Sequence, residues 1–131
     1  MQIFLILFVN LLIACSTSTT PSFKNSTVRL TEADDKSSIE LHKGDRLEIT
    51  LPANPTTGFQ WEIKTVNTDM LHPVGEPKFV PSSNAAGSGG TVALSFEATA
   101  SGQTKLELIH HRPFEKNVPP IQSFEVTVSV K

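Results

Sequence analysis

The sequence predicts an all-β fold, and three observations support this class. After Lys24, apolar residues alternate with polar ones at period two, no segment has a helical period, and turn residues separate the apolar runs. The turn signals are Lys43-Gly44-Asp45, Asn54-Pro55, the glycines near residue 89, Ser101-Gly102 and Val118-Pro119-Pro120. We therefore expect an Ig-like antiparallel β-sandwich of about seven or eight strands, although a barrel would give a similar pattern.

Each predicted strand is a run in which every second residue is apolar. In chain order the runs are residues 28–30, 39–41, 47–51, 59–63, 92–96, 106–108 and 124–130. Trp61 lies in the fourth run. We expect its ring to be buried between the two sheets, because an aromatic ring of this size removes a large apolar area from water.

Length and composition suit one folded domain, residues 26–131, after an N-terminal leader. The chain has 131 residues, and its 11 basic and 13 acidic side chains give a net charge of -2, so no basic stripe is available for nucleic acid. Cys15 is the only cysteine, which excludes an intramolecular disulfide and a multi-cysteine zinc or redox site. We expect a monomer.

The N-terminus reads as an export signal, residues 1–14. Its apolar run, residues 3–14, is interrupted only by Asn10 and is shorter than the ~20 residues that span a membrane. The sequence Leu12-Ile13-Ala14-Cys15 resembles a bacterial lipobox, which implies acylation of Cys15, although no Lys or Arg precedes the run. Residues 15–25 would be a flexible Ser/Thr tether. We expect an exported protein, lipid-anchored in a bacterial membrane, with the outer membrane or periplasm preferred, or extracellular if Cys15 is not acylated.

The sequence favours neither an enzyme nor a metal protein. His110 and His111 are adjacent, so on a strand they point to opposite faces, and no third ligand is near them in sequence. We interpret them as solvated or loop-supporting histidines. No nucleophile elbow, phosphate-binding loop or zinc-protease motif occurs, and no carboxylate pair suggests acid–base catalysis. We expect no cofactor.

Three short motifs carry a family resemblance. In chain order they are Asn54-Pro55-Thr56-Thr57-Gly58-Phe59, Gly87-Ser88-Gly89-Gly90 and Arg112-Pro113-Phe114. The first two match, and the third approximates, motifs of the chagasin-type inhibitors of papain-like cysteine peptidases, where tryptophan usually stands in place of Phe114. The resemblance covers residues 28–131, and the family fold is Ig-like.

The resemblance implies that the three motifs form loops that occlude the peptidase cleft without being cleaved. Thr56 would lie against the catalytic Cys-His pair, with Thr57 and Gly58 shaping the tip. The glycine motif would pair with the unprimed side, and Arg112 would offer donors to the peptidase. The target would be a host or an endogenous papain-like enzyme.

Residue types in the first motif are consistent with a loop that is rigid before binding. Pro55 fixes its own φ and restricts Asn54, while Gly58 permits a backbone conformation that other residues resist. A rigid loop loses little entropy on association.

The alternative function is an Ig-like surface lipoprotein that binds a glycan or a receptor through the same loops, because a fold does not fix a function.

Overall fold

The structure, a computed structural model, describes residues 15–16, 18–21 and 24–131. The predicted signal segment, residues 1–14, lies outside these residues. The described part contains nine strands and two short 3-10 helices, Glu32–Asp34 and Pro55–Thr57, and no helix long and apolar enough to cross a membrane. In chain order the strands are β1 Thr27–Thr31, β2 Ser37–Leu41, β3 Arg46–Ala53, β4 Gln60–Thr65, β5 Leu71–Pro73, β6 Lys78–Pro81, β7 Gly90–Ala98, β8 Gly102–His111 and β9 Gln122–Val130.

The strands form two sheets that pack face to face as an Ig-like β-sandwich, which confirms the predicted fold class. One sheet has the order β1-β3-β7-β5, with β6 also paired to β7, and the other has the order β2-β9-β8-β4. Most pairs are antiparallel as expected, but β1 runs parallel to β3 and β2 runs parallel to β9. Because β2 belongs to the opposite sheet, the chain crosses the sandwich between β1 and β3, which allows that parallel pairing.

The core follows from the alternation of apolar and polar residues along the strands. In β3, β7, β8 and β9 every second residue points inward and is buried. Trp61 is 5% exposed, and its indole Nε1 donates a hydrogen bond to the carbonyl oxygen of Pro52 in the facing sheet at 2.9 Å. The expected burial of Trp61 between the sheets is therefore confirmed. Ile63 departs from the pattern and is 38% exposed, since β4 is the last strand of its sheet.

Strand pairing brings three connections to one end of the sandwich. Loop 1 (residues 54–59) joins β3 to β4, loop 2 (82–89) joins β6 to β7, and loop 3 (112–121) joins β8 to β9. The end of β3 pairs with the start of β7, where Ala53 faces Gly90, and the end of β8 pairs with β4 and β9. The three motifs singled out in the sequence are thus neighbours in space.

Candidate functional site

Loop 1 is ordered by hydrogen bonds within its own sequence. Asn54 caps the short helix Pro55–Thr57: its Oδ1 accepts from the Thr56 backbone N–H at 3.2 Å and from the Thr56 hydroxyl at 2.6 Å. The Thr57 hydroxyl donates to the Asn54 carbonyl at 2.6 Å. Gly58 ends the turn at φ 81°, in the left-handed region that favours glycine. The expected rigid turn is present, while Pro55, Thr56 and Thr57 remain exposed.

Loop 2 lies beside loop 1 and is tied to it. The Asn54 side-chain Nδ2 donates to the Gly87 carbonyl at 3.3 Å. Within loop 2, the Ser88 hydroxyl donates to the Ser83 carbonyl at 3.0 Å, and Gly87 has φ 75°. Loop 2 therefore contains a turn that is held by a serine hydrogen bond and includes a left-handed glycine.

The glycines of the second motif serve different purposes. A β-carbon on Gly90 would overlap the Val80 carbonyl oxygen, so the pairing of β6 with β7 requires glycine at this position. A β-carbon on Gly89 would meet the Ala53 carbonyl oxygen at an ordinary 3.5 Å, and one on Gly87 would meet nothing. Of these three glycines, Gly87 and Gly89 therefore have room beside the α-carbon for a close approach by another molecule, although both carbonyl oxygens accept hydrogen bonds within the protein.

Loop 3 packs on loop 1 through Arg112. The Arg112 Nε donates to the Thr57 carbonyl oxygen at 3.0 Å, and its Nη1 pairs with the Glu115 carboxylate at 2.9 Å. Its guanidinium carbon lies 4.2 Å from the centroid of the Phe59 ring, a cation–π contact. The family resemblance implies that Arg112 offers donors to a peptidase, and in the free protein its Nε and Nη1 already bond within the chain.

Loop 3 also supplies most of the apolar surface at this end. Phe114 is 71% exposed. One edge of its ring nevertheless lies close to Gly58, since a β-carbon added to that glycine would be 3.0 Å from the Phe114 ring. Pro113 is exposed beside it. Val118 and Ile121 are 52% and 61% exposed, and neither was predicted from the sequence as a site residue. The pattern that could have indicated them is a pair of apolar residues on either side of Pro119-Pro120, in a segment without strand alternation.

Three aromatic rings pack together at the base of loop 1. The rings of Trp61 and His110 are nearly parallel, with centroids 4.7 Å apart, and the Phe59 ring lies 5.6 Å from His110 at 58°. Burial lowers the pKa of His110, and the neighbouring His111 adds to this effect. His110 is thus a buried ring that packs against Phe59 of loop 1. His111 points the other way and pairs with Glu62 at 2.7 Å.

The end of the sandwich that carries loops 1, 2 and 3 has the character of a binding surface. The described residues hold no cluster of three side chains fit to bind a metal ion. Open cavities of about 290 and 470 Å³ flank loop 1, one beside Phe79 and the other beside Ile121. The loops therefore form one ridge of hydroxyl, glycine and aromatic groups with a shallow recess on each side.

Comparison with a family model gives the deciding observation. Residues 40–128, which contain all three motifs, match the model described as Chagasin family peptidase inhibitor I42. The chain belongs to this family. The resemblance found in the sequence is confirmed, and the chain is a member of a family of protein inhibitors of cysteine proteases rather than of enzymes.

Individual relatives agree with the family match. Chagasin of Trypanosoma cruzi is 31% identical over 90 residues, covering 66% of this chain and 82% of that protein. Amoebiasin-1 of Entamoeba histolytica is 28% identical over 102 residues, covering 78% of this chain and 98% of that protein. The binding roles of individual residues stay predictions.

Solved structures share the fold. The crystal structure of a cysteine protease inhibitor from Entamoeba histolytica aligns with a TM-score of 0.70 at 24% identity, over 81% of this chain and 96% of that one. The structure of Leishmania mexicana ICP aligns with a TM-score of 0.56 at 31% identity, over 74% of this chain and 89% of that one. The β-sandwich frame is thus common to relatives whose sequences differ at most positions.

Proposed function

We propose that this protein is a reversible, non-covalent inhibitor of papain-like cysteine peptidases and that loops 1, 2 and 3 fill the active-site cleft. One observation carries the proposal: hydrogen bonds join the three loops into a single ridge before any partner is present. Asn54 links loop 1 to loop 2, and Arg112 links loop 3 to loop 1. A ridge that is already ordered binds without a large loss of conformational entropy.

The exposed tip of loop 1 suits a narrow groove. Pro55, Thr56 and Thr57 carry small side chains and are exposed at the crest. The backbone at the tip is held in a 3-10 turn rather than an extended strand. Because a peptidase cleaves substrates that lie extended in its cleft, a turn that is closed by Asn54 presents no scissile bond in productive geometry. Inhibition without turnover follows.

The test is a titration of papain with the domain, residues 24–131, and with two matched variants. Thr56→Arg inserts a long charged side chain at the crest, whereas Thr65→Arg makes the same change at an exposed position at the far end of β4. We expect nanomolar to micromolar inhibition by the wild type, a loss of at least ~2 kcal/mol, about 30-fold in Ki, for Thr56→Arg, and none for Thr65→Arg. Equal Ki values for all three would remove loop 1 from the interface.

We also propose that the protein is a lipoprotein anchored through Cys15 and residues 15–25. The lipobox-like sequence Leu12-Ile13-Ala14-Cys15 is the basis of this proposal, and the direction of β1 is compatible with it. Thr27, at the start of β1, pairs with Arg46 at the start of β3, whereas loop 1 follows Ala53 at the other end of β3, roughly 25 Å away. An anchored tether would therefore hold the loops away from the membrane, free to meet a peptidase. Cys15→Ser should abolish acyl labelling and release the protein from membranes; persistent labelling would contradict the anchor.

A further inference from the structure

His110 is a buried base without a hydrogen-bond partner. Its side chain lies on β8, and the residue is 9% exposed. Neither ring nitrogen has a hydrogen-bond partner among the described residues. A neutral imidazole carries one N–H donor and one acceptor, so leaving both unpaired has a cost, and the cost of a buried imidazolium with two unpaired donors is larger.

The position of His110 connects it to the inhibitory ridge. Its ring lies against Trp61 on one strand and against Phe59, the last residue of loop 1. The Phe59 ring in turn carries the Arg112 guanidinium, whose Nε holds the Thr57 carbonyl oxygen. A shift of the His110 ring would therefore move Phe59 and loosen the contact between loops 1 and 3.

We propose that His110 is a positioning residue for loop 1 and that acid weakens inhibition by protonating it. This inference depends on the proposed inhibitory function and adds its regulation. The imidazolium needs acceptors for two N–H groups, and while the ring stays in the stack neither nitrogen has a partner among the described residues. The open cavity of about 470 Å³ beside His110 gives water and the displaced ring somewhere to go.

Within residues 24–131, no acid acts on the His110 ring to favour its protonated form. On β8 the neighbour is His111, which pairs with Glu62 of β4 on the opposite face of the sheet. On β9 the paired residue is the uncharged Gln122. Loop 3 contributes Arg112, whose cationic guanidinium lies over the Phe59 ring and pairs with Glu115. The surroundings therefore disfavour a second positive charge.

The sign of the pH effect follows from the native environment. Burial holds the pKa of native His110 below the 6.5 of an unperturbed histidine. Any state in which the ring reaches water has a higher pKa and binds the proton better. Above pH 6.5 the native stack keeps its full stability, and as pH falls through 6.5 toward the native pKa the loosened state gains population.

The first experiment measures Ki for papain against pH with three proteins: wild type, His110→Phe and His111→Gln. The ratio of Ki for wild type to Ki for His110→Phe cancels the titration of papain itself. We expect this ratio to rise at least about threefold between about pH 7.5 and pH 4.5, because the binding-competent fraction falls. His111→Gln keeps the His110 ring and changes the half-buried neighbour on the opposite face; it should keep most of the wild-type rise, because burial rather than His111 is the main cause of the low His110 pKa.

A second measurement needs no peptidase and no folded His110 variant. Trp61 is the only tryptophan and the chain has no tyrosine, so its emission reports on the stacked ring alone. Emission of the wild type should change with a midpoint below pH 6.5 while the sheet signal in circular dichroism stays constant. The proposal is wrong if the emission is flat over this range or if the Ki ratio does not change with pH. Absence of papain inhibition at every pH would instead overturn the proposed function.

Discussion

Arg112→Ala tests whether rigidity of the ridge, rather than contact with the peptidase, is what Arg112 contributes. The substitution removes three contacts within the inhibitor: the Nε bond to Thr57, the cation–π contact with Phe59 and the pair with Glu115. An exposed hydrogen bond contributes about 1 kcal/mol, an exposed cation–π contact about 0.5–1, and a surface ion pair about 0–1. We expect about 2 kcal/mol of loop ordering to be lost.

Such a loss appears in binding rather than in global stability. If loop 1 must be reordered on binding, Ki for papain should rise about 30-fold, since 1.4 kcal/mol corresponds to a factor of ten. The melting temperature should change little, because Arg112 lies outside the core. Glu115→Ala serves as the matched control: it removes only the ion pair and should raise Ki less than about fivefold.

Hydrogen exchange separates the two explanations for a weaker Arg112→Ala inhibitor. The Gly58 backbone N–H donates to the Pro55 carbonyl at 3.1 Å, so its exchange reports on the loop 1 turn in the free protein. Faster exchange in Arg112→Ala than in wild type is expected. Unchanged exchange together with a large rise in Ki would refute the argument, because Arg112 would then act by touching the peptidase.

Three further predictions concern the core, the turn before β3 and loop 3. Trp61→Ala should lower the free energy of unfolding by about 3–5 kcal/mol in urea denaturation, because it leaves a cavity and an unpaired Pro52 carbonyl. Asp45→Ala should cost about 2–4 kcal/mol near pH 7, because the Asp45 carboxylate accepts backbone N–H bonds from Ser26 and His42 at 2.9 and 2.8 Å. Phe114→Trp should leave Ki for papain equal or lower, since a larger ring at this exposed site adds contact area.

The outcomes that contradict these predictions are specific. A loss below about 1 kcal/mol for Trp61→Ala would mean that the ring is not part of the core. The backbone hydrogen bonds from Ser26 and His42 lower the pKa of Asp45 below 3.8. The stability that the Asp45 carboxylate gives the fold is therefore present above pH 3.8 and is lost as pH falls through the native pKa. A deficit of Asp45→Ala that stays constant into strong acid would contradict this account. A marked rise in Ki for Phe114→Trp would show that loop 3 does not use its aromatic ring for contact.

The sequence predicted the long strands because one face of each is buried. Runs such as residues 47–51 and 124–130 alternate strictly, so both their strand state and their inward face could be predicted. The short strands β5 and β6 were missed, because Leu71–Pro73 and Lys78–Pro81 have no alternation and contain proline. Pairing with β7 holds them in place. The parallel pairings depend on crossings between sheets, which no local pattern records.

For the site, the family resemblance implied that the three loops act together, but not how their side chains bond. Pro55 and Gly58 indicated a rigid turn because their backbone preferences are local. The partner of Arg112 could not be inferred, since the Thr57 carbonyl lies far away in sequence. Nor did an adjacent His110-His111 pair reveal that one ring is buried on Trp61 while the other faces Glu62.

A crystal structure of the domain bound to papain tests the central claim most directly. Our account predicts an uncleaved inhibitor with Thr56 beside the catalytic Cys-His pair, loops 2 and 3 on either side of it, and the Asn54–Gly87 and Arg112–Thr57 hydrogen bonds unchanged from the free protein. A complex in which the cleft is empty and papain contacts a sheet face, or in which loop 1 is cleaved, would contradict it.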